Sequence, residues 1–247
     1  MNYEHWDFSL YDFIILSGSC TGAGFAVGWL FYDSMVLGAA AAVLLFLFAK
    51  VKYVQWRISS RRAELLLQFR DVLYSSASSI SAGRSMGQAL EESLEFWKGT
   101  YGEKDLIMVE LRYMVHQIKE AGVQDLEVLW DFAERSGLAE VTDFVMVYEN
   151  CRGSGANLVQ AMDRAAAVIS DRIGLERELE TLMAQKQFEG RVIMAAPFLL
   201  MMFLKVSSPE FLEPLTSTSQ GRLVSSLALG LIGCAYIVTE RVNRLAF

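Results

Sequence analysis

The chain has 247 residues, of which 53% are hydrophobic and 21% charged, with 22 Lys/Arg against 29 Asp/Glu and a mean hydropathy of +0.29. That is too apolar for an ordinary soluble domain and too charged for a chain wholly inside lipid, so the two residue classes have to be segregated along it. They are: residues 61–190 hold 14 Lys/Arg and 22 Asp/Glu, and such an acidic stretch excludes nucleic acid as its partner, because phosphate binding needs clustered Lys and Arg.

The N-terminal stretch 1–12 carries no Lys or Arg before the first apolar run. A cleavable signal peptide wants a basic start and a short apolar core, so residues 13–31 read as a retained span. The next run, 35–49, is short for a bilayer that needs roughly 20 apolar residues. Val51, Tyr53, Val54 and Trp56 extend it, with Lys50 and Lys52 snorkelling to the headgroups. Between the runs, Tyr32-Asp33-Ser34 is a polar break that favours a hairpin over one long tilted helix. Gly18/Gly22 and Gly24/Gly28 have the GxxxG spacing that lets helix backbones approach in lipid, although glycine is also simply common in membrane helices.

Residues 57–190 read as helical. Prolines are missing from 1–196, and apolar residues recur at helical spacing. Leu65, Leu66, Phe69, Leu73 and Ile80 mark a helix over 61–82; Met86, Leu90, Leu94 and Trp97 one over 86–98. Ile107, Leu111, Met114 and Ile118 mark 104–120; Leu126, Leu129, Trp130 and Ala133 mark 125–135; Val141, Phe144, Val145 and Tyr148 mark 139–151. A sixth, with Leu158, Met162, Ala165, Ile169 and Leu179, starts near 157 and is able to run on into the third span. Gly83-Arg84-Ser85 offers a turn and an N-cap, with Gln88 completing a capping box. Gly155-Ala156-Asn157 with Gln160 repeats the pattern, and Gly122-Val123-Gln124-Asp125 and Ser136-Gly137 break the chain between helices.

Val192–Val206 is apolar and holds Pro197, which kinks a helix that neighbouring helices tolerate. Ser207–Gly221, with Pro209, Glu210, Glu213 and Pro214, reads as a loop, and Leu223–Thr239 returns across the membrane. Lys50, Lys52, Arg57, Arg61 and Arg62 follow the second span, Arg177, Lys186 and Arg191 precede the third, and Arg241 and Arg244 follow the fourth. By the positive-inside rule the middle and both termini are cytoplasmic. The expected fold is therefore an all-α polytopic membrane protein with four transmembrane helices flanking a cytoplasmic six-helix bundle. Its segments are a cytoplasmic N-terminus 1–12, a hairpin 13–56, a helical domain 57–190, a hairpin 191–240 whose loop 207–221 lies outside, and a cytoplasmic tail 241–247.

The residues supply no enzyme chemistry, metal site or cofactor site. His5 and His116 are the only histidines, and His116 has only Glu120 one turn on. Cys20, Cys151 and Cys234 are scattered and form no C-x-x-C. There is no GxxxxGK[ST] and no nucleophile motif. Arg152-Gly153-Ser154-Gly155 follows a helix rather than a strand and lacks the lysine of a phosphate cradle, so its glycines read as helix punctuation. Ionisable residues of the kind that mark transport are missing from the cores of the four runs. Two acidic groups, Glu91/Glu92/Glu95 and Glu176/Glu178/Glu180, read as solvated helix faces or as docking surfaces for a basic partner.

Three stretches resemble the type II secretion F domain, the membrane platform protein of type II secretion systems and type IV pili. They are Ser81–Leu90 (SAGRSMGQAL), Cys151–Arg164 (CRGSGANLVQAMDR), and a stretch from Ile173 through Ala184-Gln185 and Ala196-Pro197 to Ser208–Leu215 (SPEFLEPL) and Gly221-Arg222. With one such domain between paired spans, the chain is most similar to the platform proteins of tight-adherence (Tad, or Flp) pili. The resemblance covers about 60–240. It implies a cytoplasmic (inner) membrane location and no catalysis by this chain. The implied partners are a hexameric secretion-type ATPase, a second related platform protein and pilin subunits, in a homo- or hetero-oligomer. Gly83, Gly153 and Gly155 match motif positions; Ser85, Asn157, Pro197, Pro209 and Pro214 lie in the same stretches, and Gly122 stands at a turn between helices. The alternative is a membrane-anchored helical scaffold or signalling protein binding some other cytoplasmic partner.

Overall fold

The computed structural model describes residues 10–152 and 155–245, and the regular structure among them is all helical. In order the helices are α1 (Leu10–Phe31), α2 (Met35–Ser81), α3 (Met86–Trp97), α4 (Leu106–Lys119), α5 (Asp125–Ser136), α6 (Ala139–Cys151), α7 (Gly155–Ser207), α8 (Pro209–Ser217) and α9 (Ser219–Leu245). Four segments are long and apolar enough to cross a membrane: Leu10–Phe31, Met35–Ser81, Asn157–Ser207 and Gln220–Thr239. The chain is thus an all-α polytopic membrane protein with several further helices. His5 and Gly153 lie outside the described residues.

One element is longer than its sequence pattern suggests, and a second runs on as the pattern allows. The second span and the first helix of the middle segment are one helix, α2, because no glycine or proline interrupts the chain between Ala39 and Ser81. The sixth middle helix and the third span are likewise one helix, α7, with Pro197 inside it. The stretch read as a loop, 207–221, contains α8. Pro209 stands in its first turn, where a missing N–H costs nothing, and Glu210 puts a negative charge at its N-terminus.

The chain divides into two compact units. The first, Gln55–Leu175, encloses one apolar core. Leu65, Phe69 and Leu73 of α2, Leu90 of α3, Ile107 and Leu111 of α4, Phe132 of α5, Phe144 of α6, and Met162 and Ile169 of α7 are all buried in it. Phe69 lies 5.6 Å from Phe132 and 5.7 Å from Phe144 between ring centroids, an aromatic cluster at the centre.

The second unit comprises Phe8–Val54 and Glu176–Phe247. The chain turns between α1 and α2 at Tyr32–Ser34, where Asp33 adopts a positive φ of 49°. A Cβ added at Gly24 would meet the backbone of Ala42 at 2.5 Å, and one at Gly28 would collide with the backbone of Gly38. The Gly24/Gly28 pair is therefore the contact face of the first hairpin, whereas Gly18 and Gly22 face open space. Phe31 meets Phe198 edge to face, tying α1 to α7. In the second hairpin, Gly221 lets α9 approach α8 closely, since a Cβ there would lie 2.6 Å from the Leu215 carbonyl.

Candidate functional site

The spans carry polar ties at both ends of the membrane unit. Tyr53 Oη donates to Asp12 Oδ1 at 2.7 Å, and Asp12, in the first turn of α1, is buried. Lys52 reaches Tyr236 Oη at 3.4 Å and lies 5.1 Å from the centre of its ring. At the turn between α1 and α2, Lys205 Nζ pairs with Asp33 Oδ1 at 3.0 Å, donates to the Trp29 carbonyl and sits 4.3 Å from the Trp29 ring centre. Tyr32 Oη and Ser226 Oγ are 2.8 Å apart. The Lys52–Tyr236, Lys205–Asp33 and Tyr32–Ser226 contacts join the first hairpin to the second, and Tyr53–Asp12 joins the two helices of the first.

In the unit Gln55–Leu175 the polar groups inside the core belong to its packing. Glu110, almost wholly buried on α4, accepts from Arg135 Nη1 of α5 at 2.7 Å, and Arg135 Nε donates to Asp131 at 2.8 Å. The guanidinium also lies 4.8 Å from the Tyr113 ring centre. Burial pulls the Arg135 pKa down, but the hydrogen bonds and charges of Glu110 and Asp131 outweigh it and the net direction is up. Tyr148 donates to Asp125 Oδ2 and Tyr101 to Asp71 Oδ2, each at 2.5 Å. Burial first, and then the neighbouring carboxylate, raises both phenols above their ordinary value. Trp97 Nε1 donates to Ser75 Oγ at 3.1 Å, and Ser93 Oγ lies within 2.9 Å of both Ser75 and Ser76, holding α3 to α2.

The residues singled out from the sequence fall in different places. Gly83 and Gly122 have positive φ (86° and 69°), the conformation their turns need. Ser85 caps α3 in a complete capping box with Gln88. No side chain caps α5, whose N-cap is Gln124; Asp125 stands in its first turn and accepts from Tyr148 instead. Gly155 opens α7, so Asn157 stands within the helix rather than at its cap, because the helix reaches further toward the N-terminus than the glycine pattern implied. Pro197 is inside α7, Pro209 heads α8 and Pro214 is inside it.

The first acidic group is matched by cations of its own chain. Glu91 pairs with Lys119 at 2.5 Å, Glu92 with Arg84 at 3.1 Å, and Glu95 with Lys98. Glu176 and Glu178 are exposed on α7 within the second unit, and the side chain of Glu180 lies outside the described residues. Among the described residues no three His, Cys, Asp or Glu side chains gather as a metal site. His116 Nδ1 pairs with Glu120 at 3.0 Å on the surface, and Cys20, Cys151 and Cys234 are free thiols.

A groove of about 540 Å³ lies between α6 and the start of α7. Phe144, Ala161, Ala165 and Ile169 form its apolar lining, with Asp143 on one wall and Arg164 on the other. Its residues are spread over two helices and charges of opposite sign, which is why no linear pattern announces it. No family model, curated protein or solved structure matches the chain.

Proposed function

We propose that the chain is the cytoplasmic-membrane platform of a Tad/Flp-like type IV pilus or a related type II secretion machine. In this reading residues 57–190 form a cytoplasmic six-helix bundle that receives a hexameric secretion-type ATPase. The spans, with a second related platform protein, handle pilin subunits as they leave the bilayer for the fibre base. No catalytic step belongs to this chain.

The observation that carries the reading is the continuity of α2 and α7. Each runs without a break from an apolar, membrane-length segment into the helical unit Gln55–Leu175. A helix has no soft joint unless glycine, proline or an inserted side chain supplies one; α2 has no glycine or proline between Ala39 and Ser81, so a push on the helical unit is delivered along it rather than absorbed in a linker, whereas α7 carries Gly174, Gly190 and Pro197. The order of the three sequence stretches and the placement of Lys and Arg support the same reading.

Deletion of the chain tests it. The expected result is loss of surface fibres with pilin retained in the membrane, restored by the intact gene. Normal fibre assembly in the deletion strain, with the second platform protein present, overturns it. Reporter fusions test the orientation: those at Asp33 and Ser217 are expected to report outside and one at Gly102 inside.

A further inference from the structure

The short helix α8 is held on one flank and bare on the next. Its last turn lies against the start of α9: Gly221 admits the Leu215 backbone, Arg222 Nε donates to the Thr216 carbonyl at 3.1 Å, and the Gly221 N–H donates to Thr218 Oγ1 at 3.2 Å. Thr218 donates in turn to the Pro214 carbonyl, so two of the carbonyls that a helix end leaves without intrahelical partners are met by side chains. Leu212 is buried. Phe211, its neighbour and about 100° round the helix, is 77% exposed, and no described aromatic side chain is more so. With the helix fixed at its end, that exposure belongs to the fold.

What covers Phe211 follows from where α8 stands and from its other face. The third membrane-length segment ends at Ser207 and the fourth begins at Gln220, so α8 lies where both apolar runs stop, at the level of the lipid headgroups. Val206 and Leu223, at those two ends, are 74% and 64% exposed, as lipid-facing side chains are. Glu210 and Glu213, both exposed, stand about 100° and 160° round from Phe211, on the arc opposite Phe211, Leu212 and Leu215. An apolar arc against an acidic one is the division of a helix lying in a membrane surface, with acyl chains on one side and water on the other. A second copy seated here would gather the carboxylates of both helices, like charge against like, and a basic protein would seek the glutamate arc rather than Phe211. We propose that α8 lies flat in the membrane–water interface with the Phe211 ring inserted among the lipid acyl chains, and that this fixes the depth of the second hairpin. A free helix of nine residues is marginal in water; α8 is tethered by a span at each end, so seating it costs little further freedom. The proposal rests on the spans crossing a bilayer, and not on which side α8 faces or which motor or fibre the chain serves.

Fluorescent labels on the full chain test it. In a chain whose three cysteines are replaced by alanine, Phe211→Cys, Glu213→Cys and Leu227→Cys each take one nitrobenzoxadiazole label, and the protein is reconstituted into phosphatidylcholine vesicles. Leu227, exposed within the fourth span, supplies the lipid-facing reference. The label at position 211 is expected to emit near the wavelength of that reference. Lipid carrying a nitroxide just below the headgroup should quench it at least about twofold more than the label at position 213, and aqueous iodide about twofold less. A label at 211 as open to iodide as the one at 213 overturns the proposal. So does a label at 211 shielded from iodide and lipid nitroxide alike, which assigns Phe211 to a protein partner, a second copy included. Depth has its own readout, with the label moved to Leu223→Cys. There Phe211→Gln, which removes the ring, should raise iodide access about twofold, whereas Phe211→Leu, still apolar, should not. The label at Leu227→Cys reports in the same variants that the fourth span stays in lipid. Equal access at 223 in all three chains overturns the depth-setting role.

Discussion

The two units use the same apolar residue types in opposite ways. In Gln55–Leu175, Leu65, Ile107, Leu111 and Phe132 are wholly enclosed, whereas in the membrane unit Val36, Ile193 and Leu231 are at least 70% exposed. Burial from water stabilises by about 1.5–3 kcal/mol per large apolar side chain. Lipid tails are as apolar as leucine, so the same side chain gains little by leaving them for another helix. Cohesion in the membrane unit falls instead to close backbone contact at Gly24, Gly28 and Gly38 and to polar ties such as Lys205–Asp33. Glycine changes role with the medium: it allows close approach in the spans and supplies positive φ at Gly83, Gly122 and Gly137 in the other unit.

The largest expected effect tests that contrast directly. Phe132→Ala removes a fully buried ring at the centre of the aromatic cluster and should cost about 3–5 kcal/mol. Leu200→Ala, at a site 61% exposed on α7, should cost less than about 1 kcal/mol. Thermal unfolding of the full chain in detergent compares the two, and equal losses would mean that the membrane unit has a water-type core after all. Next in size is Gly28→Leu. It forces α1 off the Gly38 backbone and should cost toward the upper end of about 1–3 kcal/mol, while Gly22→Leu, facing open space, should leave the melting temperature near wild type. If the two glycine variants behave alike, the hairpin is not held by that face.

How much of this could be read in advance depends on whether the cause is local. Helix ends set by a few neighbouring residues were legible: the Ser85–Gln88 box, the left-handed Gly137 that closes α5, and the polar break at Tyr32–Ser34. The GxxxG spacing identified glycine contact but could not say which pair made it, since Gly22 and Gly24 point to different sides of one helix. The continuity of α2 was obscured by a change from apolar to charged residues, which alters the surroundings of a helix without ending it. α8 was missed because Pro209 is as much at home in a first helical turn as in a loop. Glu110–Arg135, Asp12–Tyr53 and the pair of walls at Asp143 and Arg164 join residues 21 to 41 positions apart. Only knowledge of which helix faces meet would have found them.

A third, smaller effect concerns alkaline pH and belongs to the water-facing unit alone. Tyr148 in the folded chain holds its proton more tightly than an ordinary phenol, through burial and then through Asp125. A raised folded pKa means that the stabilisation is complete below pH about 10, the unfolded value, and is lost as pH rises beyond it. Tyr148→Phe should lower stability by about 1.5 kcal/mol near neutrality and flatten the fall in melting temperature above pH 10. Tyr101, shifted the same way beside Asp71, leaves a residual slope. An unchanged alkaline profile in the variant would show that the Tyr148–Asp125 bond does not persist in solution.

The smallest effect isolates local chemistry from packing. The Gln88 backbone N–H donates to Ser85 Oγ at 3.4 Å, and the Ser85 N–H donates to Gln88 Oε1 at 3.1 Å, both on the surface of the helical unit. Ser85→Ala removes the side-chain acceptor and should cost about 1 kcal/mol, while Ser85→Asp keeps an acceptor and should cost little. Gln88→Ala, which removes only the returning bond, should fall between them. The turn at 32–34 has no such side-chain cap among its bonds; the Tyr32 and Ser34 N–H groups both donate to the Gly28 carbonyl, at 3.1 and 3.4 Å. A backbone-closed turn is insensitive to the side chain at Ser34, so Ser34→Ala should leave the melting temperature unchanged where Ser85→Ala lowers it. A matching loss at both serines would mean that side-chain capping governs both units alike.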